Sequence, residues 1–103
     1  MNKQQKEIDD FFKQQGWPYW SPHEILARVT EEVGELARLI NHEYGPKKKK
    51  SEEVDQDLEE EMGDIIYALA CLANTHDINL DEALEKSLAK VQTRDKDRFK
   101  TDE

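Results

Sequence analysis

The sequence predicts an all-α protein, a four-helix bundle that forms a single domain over residues 1–103. Three observations predict this class. Apolar residues recur every three or four positions, which is the spacing of an amphipathic helix. No segment alternates between apolar and polar residues with the period of a strand. Capping residues and prolines stand where the periodic segments begin or end. A chain of 103 residues suffices for one such domain.

The first predicted helix covers residues 2–15, and Gly16 ends it, because glycine tolerates the left-handed backbone of a helix C-terminus. An aromatic loop, residues 17–20, follows it. The second helix begins with Ser21 as its cap, Pro22 in the first position and Glu24 completing a capping box.

The second helix is expected to run to about Tyr44, where residues 45–50, a Gly-Pro pair followed by four lysines, form a basic loop. Ser51 is the predicted cap of a third helix that runs to about Asn74. The last helix is expected to begin after Asn79 and to continue to about residue 99.

The net charge of the chain indicates which kinds of ligand it can bind. The chain carries a formal charge of -9 and a single cysteine, Cys71. An acidic surface repels phosphate backbones, so nucleic-acid binding is not expected, whereas cation binding is favoured. One cysteine forms no internal disulfide and no cysteine-rich zinc site. No apolar run reaches the roughly 20 residues of a membrane span, and no signal-peptide pattern is present. The cytoplasm is the expected location.

Two acidic side chains of the second predicted helix border its apolar stripe. At about 100° per residue, Glu32 falls between Ile25 and Leu39 around the helix. Glu35 lies one turn further along, about 60° from Glu32, so the two carboxylates project together. A carboxylate beside an apolar stripe is costly unless a cation or hydrogen bonds compensate it.

The third helix carries a similar pair. Glu61 lies about 20° from Leu72 around the helix, and Asp64 follows one turn later. If the two helices pack together, these acids converge with those of the second helix, and clustered carboxylate oxygens are the ligands that Mg²⁺ prefers. Ordinary solvated glutamates are the alternative interpretation. Gly34 and Gly63, each inside an acidic segment, suggest close approach of a backbone or a ligand.

The acidic segments follow the pattern E-E-x-x-E, here Glu31, Glu32 and Glu35, and then E-x-x-D, here Glu61 and Asp64. With the flanking stretches LARVTEEVGELARLINHEYGPKKKK, LEEEMGDIIYALACLAN and TRDKDRF, the chain resembles the MazG-like nucleoside triphosphate pyrophosphohydrolases. It is similar to the short single-domain bacterial members. The resemblance covers roughly residues 17–99.

The resemblance implies a four-helix fold, a homo-oligomer and hydrolysis of a (d)NTP to a (d)NMP and pyrophosphate, with nucleotide-pool house-cleaning as the cellular role. It implies Mg²⁺, with Mn²⁺ as an alternative ion. Glu32, Glu35, Glu61 and Asp64 match the acids that hold the metal in the family. Glu31, which points away from the apolar stripe, and Glu32 are the candidates for orienting the attacking water.

Near the C-terminus the family has a K-x-N-x-[KR] pattern for the phosphates, which reads here Lys90, Gln92 and Arg94. Gln92 stands where the family pattern has asparagine. Trp20, with its aromatic neighbours, is a candidate for stacking on a base; sealing a small core or an interface is the alternative.

Small and apolar residues cover much of the third helix beyond its main stripe, so a dimer or a dimer of dimers is also predicted from the residues themselves. Two alternative functions come from other classes of protein. A non-catalytic acidic helical interaction module would use the same carboxylates to bind a basic partner. A carboxylate-bridged di-iron bundle needs Glu-x-x-His pairs, and the sequence contains none.

Overall fold

The computed structural model of the chain describes residues 1–44 and 51–94, without the side chains of residues 43, 44 and 51–56. Within these ranges every regular element is a helix, so the predicted all-α class is confirmed. The helices are α1 (Asn2–Gln15), α2 (Pro22–Tyr44), α3 (Ser51–Thr75) and α4 (Leu80–Arg94). The lysine loop and the predicted end of the last helix near residue 99 lie outside the described residues.

Gly16 ends α1 as predicted. Its backbone is left-handed, with φ at 68°. The Gly16 N–H donates to the Lys13 carbonyl at 3.2 Å, and the Trp17 N–H donates to the Phe12 carbonyl at 2.9 Å. These two bonds satisfy carbonyls that the helix leaves unpaired. The second bond also ties Trp17, the first residue of the aromatic loop, to the last turn of α1.

The predicted N-terminal caps of α2 and α4 are present. The Glu24 N–H donates to Ser21 Oγ at 3.3 Å, and the Ser21 hydroxyl donates to the Glu24 carboxylate at 3.0 Å. Asn79 Oδ1 accepts from the N–H groups of Asp81 and Glu82 at 2.9 and 3.2 Å. In contrast, α3 begins at Ser51 itself, one position before the predicted start.

Packing between α2 and α3 forms the core. Ile25 of α2 packs against Ala68 and Cys71 of α3, and all three side chains are buried. Further along, Glu32 of α2 lies beside Glu61 of α3. Residue numbers therefore rise along α2 as they fall along α3, so the two helices are antiparallel. Small side chains on this face of α3 let the larger Ile25 fill the seam.

A polar network ties α1 to the turn between α3 and α4. Gln5 is only 5% exposed. Its amide nitrogen donates to Asn74 Oδ1 at 3.1 Å and to the Ile78 carbonyl at 2.7 Å, while its Oε1 accepts from the Leu80 N–H at 2.9 Å. Asn74 Nδ2 in turn donates to the Gln5 carbonyl at 3.0 Å and to the Tyr19 hydroxyl at 2.9 Å. The network anchors the aromatic loop to α1 and α3.

Over the residues that the structure describes, the four helices of one chain do not enclose a common core. α4 buries no residue, and its apolar side chains Leu84, Leu88 and Val91 are exposed. The radius of gyration is 17.6 Å, whereas a compact chain of this length has about 13 Å. None of the helices, over the described residues, is long and apolar enough to cross a membrane.

Candidate metal centre and adjoining aromatic cavity

Three of the predicted carboxylates converge between α2 and α3. Glu32, Glu61 and Asp64 each offer an oxygen, and these oxygens all lie within 4.8 Å of one another. Glu32 is buried, Glu61 is half-buried and Asp64 is exposed. Antiparallel packing causes the convergence, because it places the α2 acid opposite two α3 acids that stand one turn apart. We call these three residues the carboxylate cluster.

Two oxygens of the carboxylate cluster are buried without a hydrogen-bond partner: Glu32 Oε2 and Glu61 Oε2. The other Glu32 oxygen, Oε1, accepts from Arg28 Nε at 3.2 Å. Burial of an unpaired carboxylate oxygen is unfavourable, and a cation with oxygen coordination removes the penalty for both atoms at once. The donor set and the two unpartnered oxygens therefore fit a hard divalent cation.

The pKa of Glu61 is shifted by its neighbours. The neighbouring carboxyl of Glu32, then that of Glu35, together with desolvation, raises the pKa of Glu61 from 4.5 to about 8. A proton on Glu61 lets it donate to a neighbouring carboxylate, whereas its ionised form leaves Oε2 unpaired. Carboxylates this close either share a proton or share a cation. The proton on Glu61 and a metal cation therefore compete for binding to the carboxylate cluster.

Glu35 and Glu31 occupy different positions from the carboxylate cluster. Glu35 is half-buried beside Glu61 and lines with it an acidic groove of about 330 Å³. One Glu35 oxygen lies 3.7 Å from Arg38 Nη2. Glu31 is exposed, as its angle on the predicted helix indicated. Thus the structure brings three of the four expected ligands together and places the fourth at their edge.

An apolar cavity of about 390 Å³ is linked to the carboxylate cluster through Arg28, which lines the cavity and pairs with Glu32. We call it the aromatic cavity. Its walls come from α1, the aromatic loop, α2 and α3: Phe12, Trp17, Pro18, Tyr19, Trp20, Ile25, Arg28, Tyr67, Ala68 and Cys71. Phe12 stacks on Tyr19 with ring centroids 4.7 Å apart. Trp20 belongs to this wall and stays half exposed, so its ring is accessible to a planar ligand.

The sequence did not predict Arg28 or Tyr67 as residues of the candidate site. Arg28 precedes Glu32 by one helical turn, pairs with it and lines the aromatic cavity, so it connects the carboxylate cluster to that cavity. Tyr67, one turn after Asp64 on α3, lines the same cavity. The i, i+4 spacing of Arg28 and Glu32 was a readable signal for an ion pair. Nothing in the local sequence marked Tyr67, whose pKa is raised by burial.

Two further sets of predicted positions, one on α4 and one at two glycines, are not members of the carboxylate cluster. Lys90, Gln92 and Arg94 are exposed on α4, and neither the aromatic cavity nor the acidic groove includes them. A Cβ atom added at Gly34 or Gly63 would meet nothing within 4 Å. Among the described residues, no backbone therefore approaches these glycines closely, and the alternative, close approach of a ligand, stays a prediction.

Four helices, a carboxylate cluster whose donor set suits a divalent cation and an aromatic cavity define an all-α protein with a candidate metal centre. The model of the MazG nucleotide pyrophosphohydrolase domain matches residues 20–99. The chain belongs to this family.

The chain is also similar to known proteins of Bacillus subtilis. The uncharacterized protein YpjD of Bacillus subtilis is 50% identical over 95 residues, which are 92% of this chain and 86% of YpjD. YvdC, uncharacterized and from the same organism, is 32% identical over 87% of this chain and 91% of its own length. A crystal structure of the candidate pyrophosphatase YpjD superposes with a TM-score of 0.71 at 41% identity, covering 100% of this chain and 95% of that one.

Proposed function

We propose that the chain is a Mg²⁺-dependent pyrophosphohydrolase that converts a nucleoside or deoxynucleoside triphosphate into the monophosphate and pyrophosphate. The observation that carries this proposal is the carboxylate cluster, with its two buried oxygens lacking partners. The family assignment supplies the reaction class. Removal of unwanted nucleotides from the cellular pool is the role that such a reaction would serve.

Glu32, Glu61 and Asp64 would hold the Mg²⁺, and Glu35 would complete the set from its place beside Glu61. When bound, Mg²⁺ or Mn²⁺ supplies positive charge that stabilises the developing charge on the phosphate oxygens. The base would enter the aromatic cavity, where Trp20 offers a stacking face.

Glu31 or Glu32 would orient the attacking water and accept its proton. The water oxygen forms a bond to the α-phosphorus, and the bond to the bridging oxygen breaks so that pyrophosphate leaves. Lys90, Gln92 and Arg94 remain candidates for binding the phosphates.

A homo-oligomer, a dimer or a dimer of dimers, belongs to the same proposal. It is supported by apolar side chains that one chain leaves exposed on three helices. Leu26 and Val33 lie on α2, Met62 and Ile66 on α3, and Leu88 on α4. Covering these surfaces would recover the hydrophobic stabilisation that a single chain of this size lacks.

Product analysis tests the reaction directly. The protein is incubated with Mg²⁺ and a panel of standard and modified (d)NTPs, and the products are separated by anion-exchange chromatography. The expected products are monophosphate and pyrophosphate in equal amounts. Diphosphate and orthophosphate would contradict the proposal. Absence of turnover across the panel would favour the acidic interaction module instead.

A matched pair of variants ties turnover to the cluster. Glu61→Gln removes one carboxylate from the proposed metal set, while Glu59→Gln makes the same change at an exposed position on the same helix. Turnover should be lost in the first variant and retained in the second.

A further inference from the structure

Arg28 contacts both halves of the candidate site. Its guanidinium carbon lies 5.7 Å from the centroid of the Trp20 ring, and its Nε lies 3.2 Å from Glu32 Oε1. One side chain therefore joins the aromatic cavity to the carboxylate cluster. The Arg28 side chain is 46% exposed, so packing leaves it free to change rotamer.

The contact with Glu32 makes Arg28 the counter-ion of a buried carboxylate. Glu32 is only 7% exposed, and the guanidinium is its ion-pair partner in the described chain. A divalent cation at the carboxylate cluster would neutralise the same carboxylate and repel the guanidinium at short range. Entry of the cation thus weakens the pairing of Arg28 with Glu32.

The contact with Trp20 places the Arg28 guanidinium over the face of the ring on which a base would stack. A guanidinium over an indole ring is attracted by the negative face of the ring. Both residues line the aromatic cavity, so a base that stacks on this face of Trp20 would take the place of the guanidinium. Entry of the base thus also requires Arg28 to move.

We propose that Arg28 is a positioning residue that couples the two ligands, a divalent cation at the carboxylate cluster and a nucleobase in the aromatic cavity. Whichever ligand arrives first displaces the guanidinium, and the second then binds without opposition from it. The coupling is positive and equal in both directions, as thermodynamic linkage requires. This inference rests on the proposed function, because that proposal supplies the identity of the ligands.

Deoxynucleosides provide the test, since they lack phosphates and so neither chelate Mg²⁺ through a phosphate nor undergo hydrolysis. Each of the four deoxynucleosides is titrated into the full-length protein with and without Mg²⁺, with tryptophan fluorescence as the signal. Calorimetry measures Mg²⁺ affinity with and without the nucleoside. In the wild type each ligand should lower the Kd of the other by on the order of five-fold.

Arg28→Met keeps an unbranched stem and removes the guanidinium with its charge. Each ligand alone should bind this variant more tightly than the wild type, and the mutual effect should disappear. Arg28→Lys, which keeps the charge but lacks the planar guanidinium, should show reduced coupling. This second variant carries the test if circular dichroism shows Arg28→Met to be unfolded.

Arg38→Met is the matched control. Arg38 lies ten residues further along α2, about 15 Å away, and its guanidinium approaches Glu35. This variant loses the same charge beside the acids, yet its coupling should equal that of the wild type. Equal coupling in Arg28→Met and the wild type would overturn the inference, as would loss of coupling in Arg38→Met or no nucleoside binding by the wild type.

The pyrophosphate assay separates this inference from the proposed function. A wild type that releases pyrophosphate but shows no coupling overturns the role of Arg28 alone. A wild type that releases none overturns the proposed function, and the Kd measurements still decide whether Arg28 couples the two sites.

Discussion

At the scale of single residues, the three carboxylates of the cluster differ in their surroundings. Glu32 is buried and paired with Arg28, whereas Asp64 is exposed. Glu61 lies between these extremes, and adjacent carboxyls raise its pKa to about 8. Glu61 is therefore the acid whose proton a cation must displace.

The titration of Glu61 predicts a pH dependence of stability without divalent cations. Its pKa is about 8 in the folded chain against an ordinary value of 4.5, so the folded state keeps a proton that the unfolded state has lost. Stability should therefore fall as the pH rises through this window. Urea unfolding in a chelator measures it. Glu61→Gln should remove this part of the slope, and an unchanged slope in that variant would contradict the assignment.

Glu35 and Glu59 provide a second test at this scale. Glu35→Gln removes a charge beside Glu61 with little change of volume, so the fold should survive while Mg²⁺ binding weakens and turnover collapses. Glu59 is exposed, and Glu59→Gln should change stability by no more than about 0.5 kcal/mol. Melting curves with and without Mg²⁺ should show a smaller thermal shift only in Glu35→Gln. Equal shifts in both variants would exclude Glu35 from the site.

At the scale of elements, hydrogen bonds hold α1 against the end of α3. Gln5 accepts from the first N–H of α4 and donates to Asn74, and Asn74 reaches the Tyr19 hydroxyl. Burial raises the pKa of Tyr19 to about 12, and the hydrogen bond from Asn74, which acts in the opposite direction, is the smaller effect. The position of an aromatic wall of the cavity thus depends on a network that lies outside it.

Gln5→Leu should destabilise the chain by about 2 kcal/mol, because it leaves buried partners of the amide unsatisfied. Gln4→Leu, at the adjacent exposed position, should stay within about 0.5 kcal/mol of the wild type. Chemical denaturation measures both. If the two variants were equally stable, the Gln5 network would not contribute to holding α1 in place.

At the scale of the whole molecule, one chain leaves apolar faces uncovered. The stripe of Leu84, Leu88 and Val91 on α4 has no large partner surface in the described chain. A radius of gyration of 17.6 Å also exceeds that of a closed bundle. Both observations favour assembly with further copies, in which α4 would be covered.

Leu88→Asp should shift the oligomer towards monomer, since it places a charge within the apolar stripe of α4. Thr93→Asp is the control, because it adds the same charge about 140° away around the helix. Multi-angle light scattering at micromolar concentration should give a dimer or tetramer for the wild type and for Thr93→Asp. A monomeric wild type would reject the assembly.

The end of α1 and the starts of α2 and α4 could be predicted from the sequence, because each depends on residues a few positions apart. Gly16, Ser21 and Asn79 make their capping bonds within their own turns. The pairing of Glu32 with Glu35 and of Glu61 with Asp64 could also be predicted, since residues one turn apart on a helix share a face. Family membership followed from these pairs and the residues around them.

Only the tertiary structure decided which faces meet. Periodicity gives an apolar stripe but not the register between two helices, and this register buries Ala68 while Met62 stays exposed. It also sets Glu35 at the edge of the carboxylate cluster and brings Arg28 to the aromatic cavity. These outcomes depend on how side chains of distant segments fill shared space, which no local pattern specifies.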